Sequence, residues 1–190
     1  MVLEYVTARF GHEDLQSYAE FTVTDAPGHD ITVSFFLRTR SPDALLLVLA
    51  NSTSQYLRAW LQEGRLAVQL NGLESVSGDG EVIDGEVRFV SVAVVNGSMT
   101  LDVGNRRQGE AGVRPLDVQA EDRVYVGGLP LQTGSVEFGG YLKGCIQDLR
   151  INHARLQFFG LDDAPVMSYP VERLANVTPG CPGDDSCRVS

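Results

Sequence analysis

Apolar residues recur at every second position along most of this chain. In QYLRAWLQEGRLAVQLNG (55–72), Leu57, Ala59 and Leu61 alternate with Tyr56, Arg58, Trp60 and Gln62. A Glu63-Gly64 step follows, and Leu66, Val68 and Leu70 resume the period. Alternation on both sides of a short glycine turn predicts a hairpin with one buried face. The pattern repeats in VRFVSVAVVNGSMTLDV, where Val90, Val92 and Val94 lead into Asn96-Gly97 and Met99, Leu101 and Val103 return. Asn-Gly suits a two-residue turn because both positions need positive φ. DITVSFFLRTR and the continuous run ALLLVLA (44–50) read as central strands, the second buried on both faces. DRVYVGGLP reads as a strand ending in a glycine break, and YLKGCIQDLRIN as a strand pair's worth of alternation that carries a cysteine. No stretch holds a 3.6-residue period. Many short strands with frequent turn signals predict an all-β sandwich.

Composition narrows the function classes. A net charge of −10 argues against sequence-independent nucleic-acid binding, which needs Lys and Arg to neutralise phosphates, and against an anionic membrane surface as partner. The run at 44–50 is far too short to span a bilayer, and MVLEYVTARF lacks the basic-then-apolar order of a secretory leader. Three sequons, at Asn51, Asn96 and Asn176, nevertheless point to a secreted protein and to N-glycosylation. The missing leader then implies a segment of something larger.

Cys145 and Cys181 each follow a glycine and lie 36 residues apart. If they pair, closing that loop stabilises by roughly 4 kcal/mol in the chain-entropy model. Cys187 is left over, which means an intermolecular bond, a free thiol or a partner lying beyond this segment. The alternative is three reduced cytosolic cysteines. Zinc is not indicated, because no CxxC or CxxH pair exists.

FGGYLKGCIQDLRIN followed by VTPGC resembles the end of a laminin G-like domain. VYVGGLP (124–130) resembles that family's glycine-glycine-leucine-proline strand end, and EGRLAVQL its hairpin. The resemblance implies an all-β, concanavalin-like jelly-roll sandwich of two antiparallel sheets, with a Cys145–Cys181 disulfide. In finer detail, YLKGCIQDLRINHARLQFF and LANVTPGCPGDDSC look most like the Crumbs family of apical polarity proteins. There laminin G-like and EGF-like domains alternate in the ectodomain of a transmembrane protein. On that likeness residues 1–182 form the laminin G-like domain, and 183–190 are a linker and the start of an EGF-like module opened by Cys187.

The resemblance implies a non-enzymatic, extracellular recognition, adhesion or spacer module, part of the ectodomain of an apical plasma-membrane protein. Its partner would be a protein or another ectodomain copy, beside adjacent EGF-like modules. No nucleic acid or direct membrane contact is expected. Catalysis has little support. Glycoside hydrolysis needs two carboxylates across the scissile bond, and the acidic residues here, such as Asp79, Glu81, Asp84 and Glu86, read as turn residues. His12, His29 and His153 read as solvated loop histidines, with no nucleophile motif beside them. The second functional class is calcium-dependent glycan or receptor binding of the laminin, agrin or neurexin kind. The family's two side-chain calcium positions, one Asp and the other Asn or Asp, fall at Gln55 and Gln119, where losing the carboxylate removes most of the attraction for a hard cation. Asp117, Glu121 and Asp122 lie near the second position, and only a loop rearrangement around Asp43 would supply the first. No cofactor is therefore expected. The chain also has Val87-Arg88 where the family usually has Trp-His, so Trp60 is the only tryptophan. Being out of phase with Leu57, Ala59 and Leu61, it is either an exposed interface anchor, with Arg58 and Arg65 lining the same patch, or a side chain packed under a loop or the second sheet.

Overall fold

A computed structural model describes residues 7–130, 140–159 and 168–181. In chain order the first strands are β1 (Thr7–Phe10), β2 (Tyr18–Thr22), β3 (Ile31–Thr39), β4 (Ala44–Ala50), β5 (Gln55–Gln62), β6 (Arg65–Leu70), β7 (Glu74–Glu81) and β8 (Arg88–Val95). They are followed by β9 (Ser98–Val103), β10 (Arg106–Gly112), β11 (Arg123–Val126), β12 (Gly144–Ile151), β13 (Ala154–Leu156), β14 (Ser168–Tyr169), β15 (Val171–Ala175) and β16 (Thr178–Pro179). One sheet runs β10-β9-β8-β3-β12-β1-β16, with β13 and β14 extending from β12. The other runs β15-β2-β11-β4-β5-β6-β7. Among the described strands pairing is antiparallel except for the short β13–β14 contact, and an isolated parallel bridge joins Ala44 to Gly140. The chain is thus the expected two-sheet jelly-roll sandwich.

The period-two pattern forms the core between the sheets. Ile31, Val33, Phe35 and Leu37 point inward from β3, and Leu57, Ala59 and Leu61 from β5. Phe158 sits between Phe10 and Phe21, with centroid distances of 5.9 and 5.3 Å and both rings edge-on, an arrangement the ring quadrupoles favour. Both hairpin turns form as read. Glu63 and Gly64 have φ of 52° and 81°, and Asn96 and Gly97 have 52° and 74°. YLKGCIQDLRIN yields one long strand, β12, with a bulge near Asp148 where the register to β3 shifts between Gln147 and Arg150.

Alternation did not reveal β7 and β10. Asp79 and Glu81, read from sequence as turn residues, lie within β7. These two glycine-rich strands close one margin of the sandwich. A Cβ on Gly109 would lie 2.3 Å from Val76 Cγ1, and one on Gly78 would lie 2.3 Å from Gln108 Oε1. Close approach of two strands favours residues without a side chain, and those residues carry no apolar period.

The Gly144-Cys145 step has a similar cause. Cys145 and Cys181 are disulfide-bonded, with Cα atoms 5.9 Å apart, which joins the segment after β16 to β12 across β1. Gly144 lies where β12 presses onto β3, and a Cβ there would stand 2.5 Å from the Arg38 carbonyl oxygen.

Candidate functional site

The outer face of the seven-stranded sheet carries a second apolar cluster of Leu45, Val48, Ala50, Trp60 and Ala67, with Tyr125 and Leu129 packed against it. Trp60 is only 8% exposed, so the exposed-anchor reading is corrected: the indole packs on its own sheet. This cluster also explains why β4 is buried on both faces. The accompanying arginines do not share a patch. Arg58 pairs with Gln69 in mid-hairpin, whereas Arg65 pairs with Gln62 beside the turn and borders a separate hollow with Glu63 and Gly78.

Next to the second cluster lies an open cleft of about 850 Å³. Its walls are the β4–β5 turn (51–54), Gln55 and Arg58 of β5, the Asn71-Gly72 turn, and Tyr125, Leu129 and Pro130. Sequence reasoning singled out Gln55, Arg58 and Asn51 separately but not their convergence. Asn71-Gly72, with φ of 52° and 72°, was the unused turn signal.

On the opposite side of the molecule, the outer face of the nine-stranded sheet bears an apolar island. Val87 is 56% and Phe89 38% exposed, and Phe36 contacts Phe89 with ring centroids 5.0 Å apart. A small hollow of about 150 Å³ joins Phe36 and Val87 to Arg38, Thr7 and the Cys145–Cys181 bond. Its sequence signal was Phe35-Phe36: two successive aromatic residues in an alternating strand must point to opposite faces.

At the sandwich rim, Gln55 Oε1 accepts a hydrogen bond from Arg58 Nε at 3.0 Å. Gln119 donates through Nε2 to Asp117, and its backbone N–H donates to Asp122 Oδ2 at 3.1 Å. Tyr56 also donates its hydroxyl to Asp122 Oδ2, at 2.8 Å. Burial, then the Asp122 carboxylate, pushes the Tyr56 phenol far above its ordinary range. Tyr169 donates to Asp25 at 2.6 Å and is raised for the same two reasons, burial first.

The family profile described as Laminin G domain matches residues 37–154. The chain belongs to the laminin G domain family. It is 38% identical over 185 residues to protein crumbs homolog 1 of Mus musculus and 33% identical over 187 residues to protein crumbs homolog 2 of Homo sapiens. Each alignment covers 97% of this chain but only 13% of the relative, so the chain spans about an eighth of those proteins' length. Among solved structures, the LG1-3 region of the laminin alpha2 chain superposes with a TM-score of 0.74 at 24% identity, covering 94% of this chain and 35% of that one. That likeness concerns the fold alone.

In this laminin G domain both positions that the resemblance assigns to calcium carry glutamine. Calcium takes six to eight oxygens, usually with carboxylates among them. Here the Gln55 oxygen faces a guanidinium. The nearby carboxylate of Asp122 is buried and already holds Tyr56 and the Gln119 amide. Asp43, which a loop rearrangement would have had to recruit, accepts from the Glu63 N–H at the other end of β5. Among the described residues no group of three or more His, Cys, Asp or Glu could hold a metal.

The three histidines fall on separate loops. His29 Nδ1 hydrogen-bonds the Leu116 carbonyl, His12 lies next to Glu13 in a short 3₁₀ turn, and His153 is exposed in the β12–β13 turn. All three sequon asparagines are exposed: Asn51 in the β4–β5 turn, Asn96 in the β8–β9 turn, and Asn176 between β15 and β16. Cys187 and the stretch 183–190 lie outside the described residues.

Proposed function

We propose that this laminin G domain is a non-catalytic recognition module in the ectodomain of a Crumbs-like apical polarity protein. It binds a protein partner, with another copy of the ectodomain as the first candidate. Two findings support the setting: sequence likeness to crumbs homologues along nearly the whole chain, and a disulfide, which persists in oxidising compartments. The observation that carries the binding role is the apolar island of exposed Val87 and Phe89 with half-buried Phe36, since an exposed aromatic residue in an apolar patch makes a suitable interface anchor. In this reading Asn51, Asn96 and Asn176 are N-glycosylated, and 183–190 begin an EGF-like module with Cys187 as its first cysteine. Calcium-dependent glycan binding is the weaker reading, because of Gln55 and Gln119.

The test is light-scattering mass over a concentration series, together with binding to cells displaying the parent ectodomain, for the wild type and a Val87→Asp/Phe89→Asp variant. Loss of self-association or cell binding with an unchanged melting curve is the expected result. Equal behaviour of the two proteins in both assays would remove the island from the reading. A steady monomer without cell binding would favour a spacer.

A further inference from the structure

We propose that Asn51 carries an N-glycan whose first sugars lie in the cleft beside it, so that the cleft is the seat of the domain's own glycan. The inference rests on the extracellular setting proposed above and on the geometry of the β4–β5 turn. Asn51 Oδ1 accepts three hydrogen bonds from its own loop: the Thr53 N–H at 2.9 Å, the Thr53 hydroxyl at 2.8 Å and the Ser54 N–H at 2.8 Å. Two of these donors are backbone amides, so the oxygen end of the planar side-chain amide is committed to the loop. Asn51 also lines the cleft, and the nitrogen end, where a glycan attaches, is the end these three bonds do not use. Asn176 differs, because its Nδ2 donates to the Gln16 carbonyl at 2.8 Å. Neither Asn96 nor Asn176 borders the cleft.

The cleft suits an N-acetylated sugar. Its described walls offer the amides of Gln55 and Asn71, the hydroxyls of Ser52 and Ser54, and the tyrosine ring of Tyr125, without a carboxylate. A sugar supplies hydroxyl and acetamide groups to hydrogen-bond the first two sets and an apolar ring face to lie against the third. Its volume of about 850 Å³ leaves room for more than one sugar ring. Attachment at the mouth supplies an effective concentration of the order of mM, so individually weak contacts suffice. A fivefold preference for the seated arrangement raises Tm by about 2–4 °C for a chain of this size.

The experiment uses the whole chain secreted from mammalian cells that make only high-mannose glycans. Peptide mass spectrometry reads occupancy at each sequon. One sample is trimmed enzymatically to a single N-acetylglucosamine per site and another is fully deglycosylated. Nuclear Overhauser contacts from the acetyl methyl to the Tyr125 ring, together with the Tm difference between the two samples, are then measured for wild type and for Asn71→Gly, which keeps the positive φ but removes the amide side chain. The expected result is full occupancy at Asn51, an acetyl–Tyr125 contact, and a Tm gain on the trimmed glycan that shrinks in Asn71→Gly. Occupied Asn51 without the acetyl–Tyr125 contact overturns the seat. Bare Asn51 with Asn96 or Asn176 modified overturns this inference alone. All three sites bare in secreted protein overturns it and also counts against the glycosylated, extracellular reading, which the island variants do not probe.

Discussion

Replacing Gly144 by alanine separates two demands that a glycine can answer, backbone freedom and absence of a side chain. Gly144 is not among the positive-φ residues, so alanine meets no torsional obstacle there. In the unfolded chain alanine has less freedom to lose, which favours folding by about 0.4–1 kcal/mol. Against that stands contact. The new Cβ would lie 2.5 Å from the Arg38 carbonyl oxygen and 2.9 Å from Thr39 Cβ. The first of these is backbone in the β3–β12 ladder, and Thr39 is itself pinned, its hydroxyl donating to the Lys143 carbonyl at 2.7 Å. Neither can swing aside as a long side chain would. Overpacking of this kind costs about 1–3 kcal/mol and more where backbone must move. We expect a net loss of roughly 1–2 kcal/mol, read as a Tm lower by about 2–8 °C. Gly140, four residues earlier, is the internal control, because among the described residues a Cβ there meets nothing within 4 Å. Gly140→Ala should therefore leave Tm within about a degree or raise it slightly. Both variants are melted as oxidised protein, with the Cys145–Cys181 bond verified by mass. Equal melting of Gly144→Ala and wild type, or a larger loss in Gly140→Ala, would refute the reasoning.

Trp60→Ala should lower stability by about 3–5 kcal/mol, because the indole is buried in the outer-face cluster; a variant that melts normally but loses partner binding would return Trp60 to the interface. For Tyr56, the folded phenol is raised above its unfolded value near 10, so the native state keeps a proton that the unfolded chain releases. Stability is then fully present below about pH 10 and falls as pH rises beyond it. Urea midpoints between pH 8 and 11 should fall less steeply in Tyr56→Phe than in wild type, and identical slopes would contradict this. Calcium up to millimolar levels should leave Tm where EDTA leaves it, whereas a rise that grows with calcium concentration would mean a site exists despite Gln55 and Gln119.

Much of the fold was legible because a half-buried strand writes its orientation into alternate positions. β3, β5, β6, β8 and β9, with their two positive-φ turns, could be read directly from the chain. The Cys145–Cys181 pair followed once the Gly-Cys motifs were matched to a laminin G-like pattern. β7 and β10 were not legible, since Gly78, Gly80 and Gly109 leave no side chains to carry a period. Their identity as strands depends on the close crossing that requires those glycines. Alternation placed Trp60 on the face opposite Leu57 and Leu61, but it could not say whether that face was covered. Covering depends on groups distant in sequence, here Leu45 and Val48 on the neighbouring strand and Tyr125 and Leu129 beyond. The cleft has the same character, joining a turn at 51–54, a turn at 71–72 and a segment at 125–130. Sequence by itself determined which residues share a face and where the chain must turn. Tertiary structure decided which faces are sheltered and which turns meet, because burial and enclosure arise from elements that local periodicity does not connect.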